Sequence, residues 1–187
     1  GHQVVDLEGI ARHKGSLLGG LPGIAQPSQK HFDTLLVQEL QALDLHRPVY
    51  IEGESPKIGR VALPLSLVQY MRKAPVLEVK ATTQARLEYL LRDYAYLGDH
   101  VDKLCERLGY LKEIQGNETI ARWQAWAREG QLPALFAELM ALHYDPQYER
   151  SQSRHFEQWA TRKSVQADDL APSAIAAIAR HFGALDC

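Results

Sequence analysis

An α/β fold with a parallel sheet, interrupted by an all-α helical insertion, is predicted by three observations in this chain of 187 residues. Short β-branched runs alternate with amphipathic stretches of helical period through the first half, the order that parallel strands joined by right-handed crossovers require. From Asp99 to about Trp159 the pattern turns wholly helical. A last β-rich run and one more helical stretch then close the chain. The expected organisation is therefore a core of residues 1–98 and 160–187 around a helical subdomain, 99–159.

Val4 and Val5 open the first strand, which runs into Asp6, Leu7, Glu8 and Gly9. The glycine-rich stretch from Gly15 to Gly23 is too irregular for a helix and predicts a loop. Ser28 is placed to cap the next helix, whose Phe32, Leu35, Leu36, Leu40 and Leu43 share one face. Val49, Tyr50 and Ile51 form a second strand closing on Glu52, Gly53, Glu54 and Ser55, and Pro64 begins a helix through Leu67 and Met71. A third strand is expected over Pro75 to Val79, followed by a helix capped by Thr82 or Thr83 and carrying Leu87, Leu90, Leu91 and Tyr94. Within the helical part, Val101, Leu104, Leu108 and Leu111 make one apolar stripe, and Leu132, Leu135, Phe136 and Leu139 another. Lys163 to Ala167 predicts a last strand and Pro172 to Phe182 a closing helix, with Gly183 beyond it.

Composition narrows the function. Lys and Arg number 21 against 23 Asp and Glu, a net charge of −2, so no overall basic field draws the chain to nucleic acid or to anionic membrane. The charge is uneven: residues 1–98 carry 11 basic and 10 acidic side chains, net +1, and residues 99–187 carry 10 and 13, net −3. The expectation is that nucleic-acid phosphates would favour the α/β half or a domain outside this chain. Two cysteines, Cys105 and Cys187, offer neither a disulfide framework nor a four-ligand zinc site. No apolar run is long enough for a membrane span and no export signal is evident, so a cytoplasmic protein with no membrane contact is expected.

Two acidic pairs are the main chemical signal: Asp6 with Glu8 after the first strand, and Glu52 with Glu54 after the second. Residues two apart share a face of a strand, and ligands of parallel sheets sit at the carboxyl ends of strands. Carboxylates gathered there need a cation, a basic partner or a proton, which suits Mg²⁺ held by Glu52 and Glu54 with a phosphorylated ligand, or a general base. The alternative is that they are solvated loop acids, some capping helix N-termini. Arg12, His13, Lys14, Gly15 and Ser16 combine cationic side chains with flexible backbone able to approach phosphate; the alternative is a mobile surface loop. This is not a G-x-x-x-x-G-K-[ST] loop, because Lys14 precedes the glycine. Arg60 either grips an anion or pairs with Glu54. Arg86 is open in the same way. Asp145 is a natural N-cap and Pro146 a natural first helical residue, with Tyr144 and Tyr148 beside them. His13 and His143 are expected to be hydrogen-bonded structural residues.

Several of these segments, in order, resemble those of bacterial tRNA 2-selenouridine synthases. Val4 to Ser16 resembles the family's DLEGLA-x-HRGS segment, and Gln26-Pro27-Ser28-Gln29 with Phe32 resembles QPSQ-x-x-FE. Glu52 to Gly59 is similar to EDES-x-x-IG, with Gly53 in place of an Asp, and Leu63-Pro64 also fits. Arg86 through Asp93-Tyr94 resembles R-x-x-x-L-x-x-x-Y, and Tyr144 to Tyr148 resembles YYDP-x-Y.

The resemblance implies a P-loop NTPase-like core whose first strand and phosphate-cradling loop are not in this chain, expected to be a C-terminal fragment not competent alone. It implies a transferase that replaces sulfur by selenium in 2-thiouridine at the tRNA wobble position. Sulfur is first prenylated with geranyl diphosphate, making it a better leaving group, and selenophosphate then supplies selenium. The implied partners are thiolated tRNA, an N-terminal rhodanese domain bearing the catalytic cysteine and an enzyme supplying selenophosphate. ATP or GTP binding stays open. On this reading Asp6, Glu8, Glu52 and Glu54 are catalytic; Arg12, Lys14, Gly15, Ser16, Gln26, Gln29, Ser55, Arg60 and Arg86 bind phosphate or substrate; and Tyr144, Asp145 and Tyr148 are structural or line a substrate pocket. Two other readings are a P-loop small-molecule kinase, in which Asp6 or Glu8 activates a hydroxyl, and a non-catalytic helical interaction module.

Overall fold

The computed structural model describes residues 2–53 and 55–185, so Glu54 and Cys187 lie outside the described residues. The fold is mixed α/β and mostly helical, and it divides into two compact units, one of residues up to 74 together with those from 183 on, the other of residues 75–182.

In the first unit, β1 (Gln3–Val5) pairs in parallel with β2 (Val49–Ile51), in the register Gln3 to Val49 and Val5 to Ile51. The crossover between them contains α1 (Leu7–Ala11) and α2 (Gln29–Gln41). Ser28 caps α2 as expected, its hydroxyl accepting the His31 N–H at 3.3 Å, and Phe32 and Leu36 are buried at the same face. Leu43 falls beyond the last turn of α2. A hairpin absent from the sequence reading follows: β3 (Lys57–Ile58) and β4 (Val61–Ala62) pair antiparallel across Gly59 and Arg60. Gly59 has φ +57°, the left-handed conformation such a turn requires. Then α3 (Leu65–Lys73) starts at Pro64 and buries Val68 and Met71. Val5, Leu7, Phe32, Leu36, Ile58 and Val61 are nearly inaccessible, and they form the apolar centre that fixes the ends of β1 and β2.

In the second unit, β5 (Leu77–Ala81) pairs in parallel with β6 (Lys163–Ala167). Everything between them is helical: α4 (Thr83–Asp93), α5 (Val101–Gly109), α6 (Lys112–Gln115), α7 (Asn117–Arg128), α8 (Leu132–Leu139) and α9 (Asp145–His155). Thr82 caps α4, accepting the Ala85 N–H at 3.1 Å. Leu104, Leu108, Leu135 and Leu139 are buried as the stripes predict, and so is Trp123, which lies in neither stripe, whereas Leu87, Leu90 and Leu91 of α4 are only half-buried. The closing α10 (Pro172–Leu185) runs through Gly183 rather than stopping before it.

One expectation changes. The strands do not form one described sheet: among the described residues there are three two-stranded sheets, and β5 pairs with β6, 82 or more residues on, within the second unit. The helices between β5 and β6 belong to that unit.

Candidate functional site

The parallel pairing of β1 with β2 puts the residues that follow each strand, Asp6 and Glu52, side by side. The chain leaves extended geometry at Asp6 (φ −85°, ψ +88°) and enters α1, whose first turn Asp6 caps by accepting the Gly9 N–H at 2.6 Å. Asp6 and Glu8 therefore do not share a strand face: Glu8 sits inside the helix and Asp6 ahead of it. Gly9 is required here, because a Cβ would come within 2.4 Å of the Asp6 carboxylate.

Glu52 Oε2 accepts the Leu7 N–H at 2.6 Å, and the Glu8 N–H also favours its anion. Burial works the other way and dominates. Together with the neighbouring Asp6 carboxyl, which hydrogen-bonds to it, burial pushes the Glu52 pKa up to about 7. A Glu52 carboxyl that exchanges its proton near neutral pH is suited to proton transfer. Of the two carboxylates expected to hold Mg²⁺, Glu52 accepts the Leu7 N–H and Glu54 lies outside the described residues; among those described, no group of three or more His, Cys, Asp or Glu suited to a metal ion occurs.

After α1 the chain turns at Arg12, in the left-handed region at φ +51°, its N–H directed at the Glu8 and Gly9 carbonyls. The following loop is closed on itself: Lys14 N–H donates to Gly19 O at 2.9 Å, Ser16 N–H to Lys14 O at 2.6 Å and Gly19 N–H to Ser16 O at 2.9 Å. Gly15 takes φ +63°, and His13 bridges to Gly20. Since the Lys14 and Ser16 amides bond within the loop, the cations it presents are the side chains of exposed Arg12 and half-buried Lys14.

Gln26 and Gln29, assigned to substrate by resemblance, engage the backbone. The Gln26 amide donates to Ala11 O (3.2 Å) and Ile58 O (3.1 Å) and accepts Arg60 N–H at 2.9 Å; Gln29 donates to Ala62 O at 2.9 Å and accepts Ala62 N–H at 2.8 Å. These side chains join α1, α2 and the hairpin. The Arg60 guanidinium donates to the Gln26 carbonyl, and the Ser55 hydroxyl closes a turn by donating to Lys57 O at 2.7 Å.

Arg86, Asp145 and Tyr148 belong to the second unit. Arg86 forms a two-pronged ion pair with Asp145, Nη1 to Oδ2 at 3.0 Å and Nη2 to Oδ1, which raises the guanidinium pKa further. Asp145 is not an N-cap. A π-turn, Met140–Tyr144, carries α8 into α9 without a break, and Tyr144 and Asp145 are both helical. Pro146 has no N–H for the Leu142 carbonyl four residues back, and the Gln115 amide donates to that carbonyl at 3.1 Å instead. His143, in the π-turn, is buried, within 3.3 Å of Gln147 and edge-on to Tyr144; desolvation lowers its pKa. A cluster not read from the sequence lies nearby: Tyr148 meets Trp159 edge-on at 6.5 Å, and the Arg162 guanidinium lies 4.2 Å from the Trp159 ring centre. The i, i+3 spacing of Trp159 and Arg162 was its only local signal.

Residues 1–119 match the family described as the tRNA 2-selenouridine synthase AAA domain. Curated proteins named tRNA 2-selenouridine synthase are similar over most of the chain. That of Alcanivorax borkumensis is 31% identical over 178 residues, 80% of this chain and 49% of the relative. That of Aeromonas salmonicida is 31% identical over 183 residues (78% and 47%), and that of Chromohalobacter salexigens 34% identical over 169 (77% and 46%). The chain spans about half the length of the curated relatives it matches. No solved structure matches it. Matched by the family's domain over residues 1–119 and by these relatives over about 80% of its residues, the chain belongs to the tRNA 2-selenouridine synthase family.

Proposed function

We propose that this chain is the proton-transfer and diphosphate-handling part of a transferase that replaces sulfur by selenium in wobble 2-thiouridine of tRNA, through S-geranylation with geranyl diphosphate and then selenophosphate. The observation that carries the proposal is the Asp6–Glu52 pair, one carboxyl of which is poised to hold a proton near pH 7. In the first step the thiocarbonyl sulfur forms a bond to the geranyl C1 as the C1–O bond to diphosphate breaks. The proton held by Glu52 passes to the departing diphosphate, the N3–H proton that the alkylated base loses returns to that carboxylate, and Arg12 and Lys14 offset the diphosphate charge. No step is derived through Mg²⁺. A rhodanese domain bearing the catalytic cysteine is the expected remainder of the whole protein.

The test is mass spectrometry of wobble nucleosides after full-length enzyme is incubated with thiolated tRNA, geranyl diphosphate and selenophosphate. Wild type is expected to yield selenouridine and Glu52→Gln to slow turnover on the order of 100-fold. Wild type without geranylated or selenated product overturns the reaction, and phosphorylation of a metabolite by ATP instead would assign a kinase. Undiminished turnover in Glu52→Ala/Glu54→Ala would leave the acids no part in chemistry and favour an interaction module.

A further inference from the structure

We infer that Gln26 is a positioning residue for diphosphate binding. It ties together the backbone on which Arg12 and Arg60 stand, so that both cations serve one anion, an assignment that rests on the diphosphate-handling reading above and adds Arg60 to it. Gln26 is half-buried, and its side chain and main chain are both engaged. Its Nε2 donates to Ala11 O at 3.2 Å and to Ile58 O at 3.1 Å, and its Oε1 accepts the Arg60 N–H at 2.9 Å. Its own carbonyl accepts the Arg60 guanidinium. One residue therefore holds the carbonyl that precedes Arg12 and grips Arg60 at two points.

Neither arginine sits inside a regular element. Arg12 ends α1 at φ +51°, a conformation that a residue with a Cβ keeps only when its surroundings hold it. The Ala11–Arg12 peptide is held on both sides: the Arg12 N–H donates to Gly9 O at 3.1 Å, and Ala11 O accepts from Gln26. Ala11 and Ile58 are fully buried, so water is a poor substitute for the donor that Gln26 brings. Arg60 follows Gly59 in the hairpin turn, and a Cβ on Gly59 would overlap the Gln26 amide. Because α1 is so short, Arg12 stands about 9 Å of helix rise from Asp6, on the unit that carries the acid pair.

Both arginines are exposed. Arg60 spends Nη2 on the Gln26 carbonyl, and the remaining N–H groups of a guanidinium fork suit phosphate oxygens. A primary amide fits the task between two cations, since it donates twice and accepts once without adding charge. A carboxylate there could accept but not donate, and it would draw the cations to itself.

The experiment titrates full-length enzyme with inorganic pyrophosphate and, separately, with thiolated tRNA. Gln26→Ala is expected to raise the pyrophosphate Kd about 10-fold, Gln26→Glu to raise it further, and tRNA Kd to stay within about twofold of wild type. In an Arg12→Ala/Arg60→Ala background, adding Gln26→Ala is expected to change the pyrophosphate Kd by less than about twofold, because Gln26 then has no route to the anion. Simple loss of folded protein would act equally in both backgrounds. Should Gln26→Ala not fold, Gly59→Ala, which displaces the amide without removing it, is read in the same cycle. Wild-type Kd in the variant overturns the proposal, as does the same loss with and without the two arginines, or a wild type that does not bind pyrophosphate. Should pyrophosphate binding depend on Gln26 while no geranylated nucleoside forms, the reaction falls and the positioning stands; geranylated product with pyrophosphate binding indifferent to Gln26 removes the positioning alone.

Discussion

Glu52 is the residue on which the most chemistry converges, and its titration can be measured apart from catalysis. Its pKa is raised from the ordinary 4.5 to about 7 in the folded chain. The folded state therefore holds a proton that the unfolded state has lost between those values. The stability this contributes is complete below about pH 4.5 and disappears as pH rises through 7. Glu52→Gln keeps an acceptor for the Leu7 N–H and gains a donor toward Asp6, so it removes the titration while preserving the contacts. The expected outcome is that wild type loses stability relative to Glu52→Gln between pH 5 and 8, read by denaturant unfolding at both. Equal pH dependence in the two proteins would mean that Glu52 ionises normally. The sequence placed Asp6 and Glu52 at strand ends correctly, since β-branched runs and the parallel order marked the strands. It could not show that Asp6 is a cap, because that depends on where the chain turns helical.

At the scale of elements, the hairpin depends on Gln26 lying against Gly59. A Cβ on Gly59 would stand 2.2 Å from Gln26 Oε1 at φ +57°, whereas one on Gly23, at φ +70°, would meet nothing within 4 Å. Gly23→Ala is expected to cost about 1 kcal/mol, the left-handed penalty alone. Gly59→Ala should cost clearly more, by about 1–3 kcal/mol, because it also displaces the amide that satisfies the Ala11 and Ile58 carbonyls and the Arg60 N–H. Thermal melts of the two variants check the order, and equal costs would show that the Gln26 amide moves aside freely. The glycine between Ile58 and Val61 was a local sign of this turn. The tasks of Gln26 and Gln29 were not legible, since their partners lie 15 to 33 residues away and a side-chain amide suits a ligand as well as a carbonyl. Within the helical part the apolar stripes fixed the buried faces, but the π-turn left no periodic trace because one extra residue shifts a pattern without breaking it.

For the whole molecule, stability at moderate pH is the sum of opposed slopes from the two units. His143 has its pKa lowered by burial from the ordinary 6.5, so its contribution is present above 6.5 and is lost as pH falls. Burial raises the Glu78 and Glu138 carboxyls less than their partners lower them: Arg162 and Ser164 for Glu78, Arg122 and Trp123 for Glu138. Both contributions are lost as pH falls below about 4.5, the ordinary value. As pH falls below 6.5 the slopes of Glu52 and His143 oppose each other, so in that range Glu52→Gln should gain stability with rising pH more steeply than wild type, and His143→Gln should lose it. Identical profiles for the two variants would contradict the assignment. Which strands pair was the least legible property at this scale, because two parallel runs of β-branched residues carry no label for their neighbour. Helix and strand positions emerged from composition, but the sorting of β5 with β6 required the chain to be folded.

The amide of Gln29 has one more consequence. By donating to and accepting from Ala62, it stands where a neighbouring strand's peptide unit would stand, on the outer side of β4. A short hairpin would otherwise offer those groups to any extended segment that drifted by. Plugged by a helix side chain, that rim of the molecule is closed to intermolecular β-pairing, and the protein gains protection against self-association without lengthening its sheet.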